Sequence, residues 1–182
     1  MFHLVLRLGG AYRSSGFLWG KACLPQHRQD KVRLGNATFR AALAIIRSAI
    51  ANYVPLVGEN PLTSMAWQVG EMRRLLRSRF CRTARTDQCQ HGARWKKATL
   101  FASWHAGDAL ELLHLRCKPR RRICAATGQP HIVLQGTIPG SSVAWSSRAE
   151  AYPRKMAGLL ASWLLRAADG LEAHRTLNII GG

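Results

Sequence analysis

At 182 residues, 47% of them hydrophobic and with a mean hydropathy of −0.11, the chain is long enough to bury one core and too apolar for a disordered polymer. It carries 27 Lys and Arg against 9 Asp and Glu, a net charge of +18 and an isoelectric point near 11.3. A field of that size repels itself unless an anion shares it, so nucleic acid, DNA first, is the expected partner, the alternative being a composition in which arginine is merely common.

No apolar run reaches the ~18 residues a membrane span needs, so no membrane partner is expected. The five cysteines (Cys23, Cys81, Cys89, Cys117 and Cys124) are odd in number, and no signal-peptide pattern opens the chain. These features suit a reducing compartment, nuclear or cytoplasmic, with an organelle as the alternative because residues 1–29 contain no acid. From Met72 to Arg122, fourteen Lys and Arg stand against three acids, which is +11 of the +18. The charge is concentrated where a polyanion would be met.

Residues 1–25 are punctuated by glycine and read as an irregular segment. From Gln26 to Asn52, Val32, Phe39, Leu43, Ile46 and Ile50 recur at helical spacing and predict a long helix, weakened or bent at Gly35-Asn36. Tyr53 to Val57 predicts a strand that ends at Gly58-Glu59-Asn60-Pro61, delivering Glu59 and Asn60 into a loop. Gln68 to Arg79 predicts a short basic helix, and Thr83–Cys89 and Ala98–Trp104 two strands joined by "QHGARWKK". A short helix, Ala109–Leu115, and a strand, His131–Thr137, follow; a final helix starts at Pro153, with Met156, Leu159, Leu160 and Trp163 inward, and stops at Asp169-Gly170.

Helix, strand with a polar end, helix and two strands joined by a turn is the order of the second half of a doubly wound α/β sheet that finishes in an antiparallel hairpin. Ligands of such sheets sit beyond the carboxyl ends of the strands, where Glu59 and Asn60 emerge. The alternative for Glu59 is a helix cap or an ion pair with a nearby arginine.

In "CKPRRRICAATGQPH", Cys117, Cys124 and His131 recur at two equal spacings of seven, with Cys89 taken first as fourth ligand ahead of His91, His105 and His114. Zinc takes Cys and His in tetrahedral sets, although its usual knuckles hold pairs two to four residues apart; the alternative is a set of free thiols. A pinned loop carrying Lys118, Arg120, Arg121 and Arg122 suits phosphate contact. Trp95, Trp104 and Trp145 are candidates to stack on an unpaired base, or core residues.

"VRLGN" (Val32 to Asn36), "VPLVGENPLTSMAW" (Val54 to Trp67), "DQCQHGARWKKAT" (Asp87 to Thr99) and "HIVLQGT" followed by "AYP" together resemble a family of cytosine-C5 DNA methyltransferase-like proteins of phage and protist mobile elements. The resemblance implies that Glu59 holds and protonates the N3 edge of a flipped cytosine with Asn60 beside it, and that Arg94, Lys96 and Lys97 contact target base and phosphates. His91 stands where the similar proteins carry an aromatic residue and Ala98 where they often carry proline. The family's S-adenosylmethionine strand-loop and Pro-Cys nucleophile loop have no counterpart in this sequence.

The expected fold class is therefore α/β: a partial Rossmann-like methyltransferase sheet, its carboxyl-terminal half with the antiparallel hairpin, plus a small Cys/His-containing appendage. Residues 26–104 would be the half-domain, 105–152 a basic recognition-like region and 153–182 a helix and tail. The expected function is a truncated or split cytosine-C5 methyltransferase-like protein, inactive without a missing amino-terminal half or partner chain and its S-adenosylmethionine. The alternative is a non-enzymatic basic nucleic-acid-binding module stabilised by zinc, or a decayed gene fragment.

Overall fold

The computed structural model of the protein describes residues 12–106, 110 and 113–180. Helix α1 runs from Gln26 to Ala51 and buries Val32, Phe39, Ala42, Leu43, Ile46 and Ala49, the stripe that helical spacing predicts. It passes straight through Gly35-Asn36, because Asn36 is tied down from outside. Its amide donates to the Trp19 carbonyl at 2.8 Å, and its Oδ1 accepts from Arg13 Nη2 at 2.8 Å. Arg13 also donates to the Val32 carbonyl at 3.3 Å, so the irregular segment before α1 is strapped along it. Gly20 lies in that strap at φ 118°, where a Cβ would stand 2.5 Å from Val32 Cγ1; only glycine fits so close to the helix.

Strand β1 is Leu56–Pro61, β2 is Cys81–Asp87 and β3 is Ala98–Trp104. They form an antiparallel sheet in the order β1-β3-β2. The protein is thus mixed α/β with a three-stranded sheet. Being central, β3 buries Thr99 and the whole run from Phe101 to Trp104, whereas the edge strand β2 exposes Arg82 and Thr83. Between β1 and β2 come a 3-10 turn, Met65–Gln68, and helix α2, Gly70–Leu76. The helix expected over Gln68 to Arg79 is α2, shorter at both ends and preceded by the 3-10 turn.

The chain divides into two compact units. One comprises residues up to Thr83 together with Leu100–Leu110; the other comprises Ala84–Thr99 and the chain from Glu111 onward. Strands β2 and β3 run from one unit into the other. In the first unit the core is Phe39, Leu43 and Ile46 of α1 against Ala66, Val69, Met72, Cys81, Ala102 and Trp104.

In the second unit β2 stops two residues short of the expected Cys89. Gln88–His91 winds into a 3-10 turn closed by Gly92 at φ 95°. Helix α3 is a single turn, Trp145–Arg148, and α4 spans Arg154–Ile180, burying Met156, Leu160 and Trp163. Helix α4 packs against the Gln88–His91 turn and continues through Asp169-Gly170, where the sequence suggests a stop. One glycine costs a helix only about 1 kcal/mol, too little to end it.

His131–Thr137 is not a strand. Its backbone makes single hydrogen bonds, Ile132 N–H to the Arg94 carbonyl among them, and Gly136 turns it at φ 71° before a ladder can form. Of the expected helix Ala109–Leu115, residues 109, 111 and 112 lie outside the described residues, and His114 and Leu115 carry no regular structure. No helix among the described residues is long and apolar enough to cross a membrane.

Candidate metal centre and basic loop

Cys89 reaches the second unit's centre from the Gln88–His91 turn, Cys117 and Cys124 from the two ends of a basic hairpin, and His131 from the segment after it. One ligand atom from each lies within 4.8 Å of every other. Cys117 Sγ stands 3.7 Å from Cys124 Sγ and 3.6 Å from His131 Nε2. Four ligands tetrahedral about zinc, at about 2.3 Å for sulfur and about 2.0 Å for nitrogen, have edges of roughly 3.5 to 3.8 Å. The cluster has the size and donor set for a metal such as zinc.

The wide Cys117 to Cys124 gap closes because Arg120 and Ile123 pair as a tight hairpin. The Arg120 N–H donates to the Ile123 carbonyl at 3.1 Å, and the Ile123 N–H donates back at 2.8 Å. Arg121 and Arg122 form the turn at φ 47° and 66°, the positive values of a type I′ turn, where glycine or asparagine is usual. A six-residue gap thus does the work of a short knuckle.

Backbone groups hold the cluster in place. The Asp87 carboxylate accepts the Cys117 N–H at 2.8 Å, and Lys96 Nζ donates to the Cys117 carbonyl at 3.3 Å while standing 3.9 Å from Asp87 Oδ2. Burial pushes the Cys124 thiol up, but hydrogen bonds from the Thr127 hydroxyl, the Thr127 and Ala126 N–H groups and His131 more than offset it and hold it at about 6. Burial, with the neighbouring Cys117 and Cys124, pushes Cys89 up to about 12. Without a cation, one thiol therefore ionises readily and another keeps its proton; a bound metal would displace that proton.

The other candidate fourth ligands are accounted for elsewhere. His91 is buried, with Nε2 2.7 Å from Thr86 Oγ1. Because the Thr86 hydroxyl donates to the Leu115 carbonyl at 3.1 Å, it accepts from His91, which puts a proton on Nε2, and burial lowers the imidazole below its ordinary value and so favours the neutral ring. His105 lies in the first unit with Nε2 on the Ile50 carbonyl, and His114 is exposed. Sequence spacing gave no sign of the Thr86–His91–Leu115 tie.

The expected nucleic-acid contacts divide in two. Lys118, Arg120, Arg121 and Arg122 are exposed on the hairpin, and Arg94 is exposed too. Lys96 and Lys97 instead turn their ammonium groups onto their own chain, Lys97 Nζ meeting the Ala149 carbonyl at 3.0 Å. Of the tryptophans considered for stacking, Trp104 is fully buried in the first unit's core, with its indole N–H on the Leu75 carbonyl, and Trp95 donates to Gln88 Oε1 at 2.8 Å.

Glu59 and Asn60 lie inside β1 rather than in a loop, 5% and 1% exposed. The chain leaves the strand through a turn closed by the Ser64 N–H on the Pro61 carbonyl, and the Trp67 indole donates to the same carbonyl at 3.0 Å. Glu59 and Asn60 line a cavity of about 20 Å³ with Ile46, Trp67, Met72 and Trp104. The Asn60 Oδ1, buried there, has no hydrogen-bond partner.

No feature of the described residues supports an S-adenosylmethionine site. Compared with known proteins, the chain matches no family model, no curated protein and no solved structure.

Proposed function

We propose that the protein is a basic nucleic-acid-binding module in which zinc pins the Cys117–His131 loop and so presents Lys118, Arg120, Arg121 and Arg122 to phosphates. The convergence of Cys89, Cys117, Cys124 and His131 carries this reading. The turn supports it: two arginines occupy left-handed positions that cost a non-glycine residue on the order of 1 kcal/mol each. Guanidinium groups stand at the tip although glycines would relax the backbone. DNA is the expected form of the partner, and four basic residues can neutralise as many phosphates.

Metal analysis of the purified protein tests it. About one equivalent of zinc should accompany the chain, and Cys117→Ser should lose it and weaken duplex binding at low salt about tenfold or more. Folded wild-type protein without metal would sink the zinc site.

A second reading has a specific support: the order β1-β3-β2, with adjacent Glu59 and Asn60 buried at the carboxyl end of β1. We infer from it the carboxyl-terminal half of a Rossmann-like, cytosine-C5 methyltransferase-like sheet, with Glu59 as the carboxyl of the base pocket and S-adenosylmethionine bound by another half. In an enzyme reconstituted with such a half, Glu59→Gln should abolish methyl transfer and leave DNA affinity nearly intact; retained transfer removes Glu59 from the chemistry.

A further inference from the structure

At the carboxyl end of α1 the backbone does something its sequence makes expensive. The Val54 N–H donates to the Ala49 carbonyl at 2.9 Å and the Tyr53 N–H to that of Ile50 at 3.4 Å, the paired bonds of a Schellman cap. The left-handed residue of that cap is normally glycine; here it is Tyr53, at φ 55°. A second left-handed residue, His105 at φ 53°, follows β3 and donates from Nε2 to the same Ile50 carbonyl at 3.0 Å, which fixes its ring.

These two positions bring three rings together. The His105 ring lies 4.5 Å from Phe80 and 5.1 Å from Tyr53, and the Arg79 guanidinium sits 4.7 Å over Phe80. Tyr53 is 66% exposed while Phe80 and His105 are half-buried, so the group lies at the surface with Tyr53 as its solvent-facing ring. Its surroundings in the chain are cationic: Arg73, Arg74, Arg77, Arg79 and Arg82 are all exposed, with no acid between them. Arg82 Nη1 donates to the Arg79 carbonyl at 3.4 Å, which keeps its charge beside the rings.

We propose that Tyr53, Phe80 and His105, with Arg79, form a stacking platform for an unpaired base of single-stranded nucleic acid. Strain held at two non-glycine residues, the exposed Tyr53 ring and a cluster of exposed arginines are what such a site needs: stacking takes any base, and the cations hold its phosphates. The platform rests on the nucleic-acid reading above but lies in the first unit and uses none of the metal-loop residues.

The strained cap supplies a clean test. Tyr53→Gly removes the ring and relieves the backbone, so its thermal midpoint should equal or exceed that of the wild type. Its affinity for a short oligothymidylate should nevertheless fall roughly tenfold or more, while affinity for a blunt duplex stays unchanged. Tyr53→Phe, which keeps the ring, should bind like the wild type. Undiminished oligothymidylate binding by Tyr53→Gly, or an equal loss in Tyr53→Phe, would overturn stacking. Wild-type protein that binds duplex and ignores oligothymidylate would overturn the platform and leave the metal-loop reading standing; if it binds neither, both fall.

Discussion

His91 shows how one side chain couples the second unit to pH. Burial lowers its imidazole below the ordinary 6.5, and its neutral Nε2–H donates to Thr86. The unfolded chain takes up that proton near pH 6.5, whereas the folded chain does so only at lower pH. Above about 6.5 both states are neutral there and no penalty applies; as pH falls below it the unfolded state gains protons and stability drops, levelling off beneath the lowered folded value. The His91 share, read as the difference in urea midpoint between the wild type and His91→Gln, whose amide can still donate to Thr86, should therefore hold steady at neutral pH and decline on acidification. An equally steep decline in that variant, with metal release followed separately by a chelating dye, would clear His91 of the effect. At this scale the Cys89, Cys117, Cys124 and His131 cluster was legible, because Cys117, Cys124 and His131 recur evenly and Cys89 is the nearest unused thiol. The inward turn of Lys96 and Lys97 was not, since it depends on carbonyls at Cys117 and Ala149 that only the fold brings near.

Among the elements, α1 was legible because burial obeys its helical period, and β3 because a β-prone, largely apolar run suits a central strand. His131–Thr137 has apolar residues too, but a strand also needs a neighbour's ladder, and sequence does not say that the segment bonds singly to Arg94. The hairpin between Cys117 and Cys124 was hidden for a related reason: its turn is made by arginines, which no turn preference would select. Its folding then depends on what holds its ends. With metal bound, Arg120 to Ile123 should stay closed; after chelation the sulfurs lose their common partner and the loop should open. Trypsin should cut after Arg120, Arg121 or Arg122 about tenfold faster in chelator, while cleavage at Arg33, Arg40 and Arg47 on α1 keeps its rate. Equal rates at the hairpin with and without metal would mean that the backbone bonds alone hold it.

For the whole molecule the governing quantity is the net charge of +18. Some of this charge is spent internally: Arg13 on the Val32 carbonyl and Asn36, Arg47 in an ion pair with Glu71, Lys96 and Lys97 on backbone carbonyls. If the protein binds DNA as proposed, the exposed remainder should set how that binding responds to salt, because each phosphate neutralised on duplex DNA releases close to one counterion. Replacing both turn arginines, Arg121→Ala with Arg122→Ala, removes two candidate phosphate contacts and leaves all four metal ligands in place. The slope of log affinity against log salt should therefore become shallower by about 2, and the loss should be uniform across DNA sequences. A fall in affinity with an unchanged slope would mean that the two arginines act by shaping the turn rather than by meeting phosphates. An unchanged affinity would move the contact surface to Arg73 and Arg74 of α2 and Arg82 of β2, in the unit that carries the stacking platform.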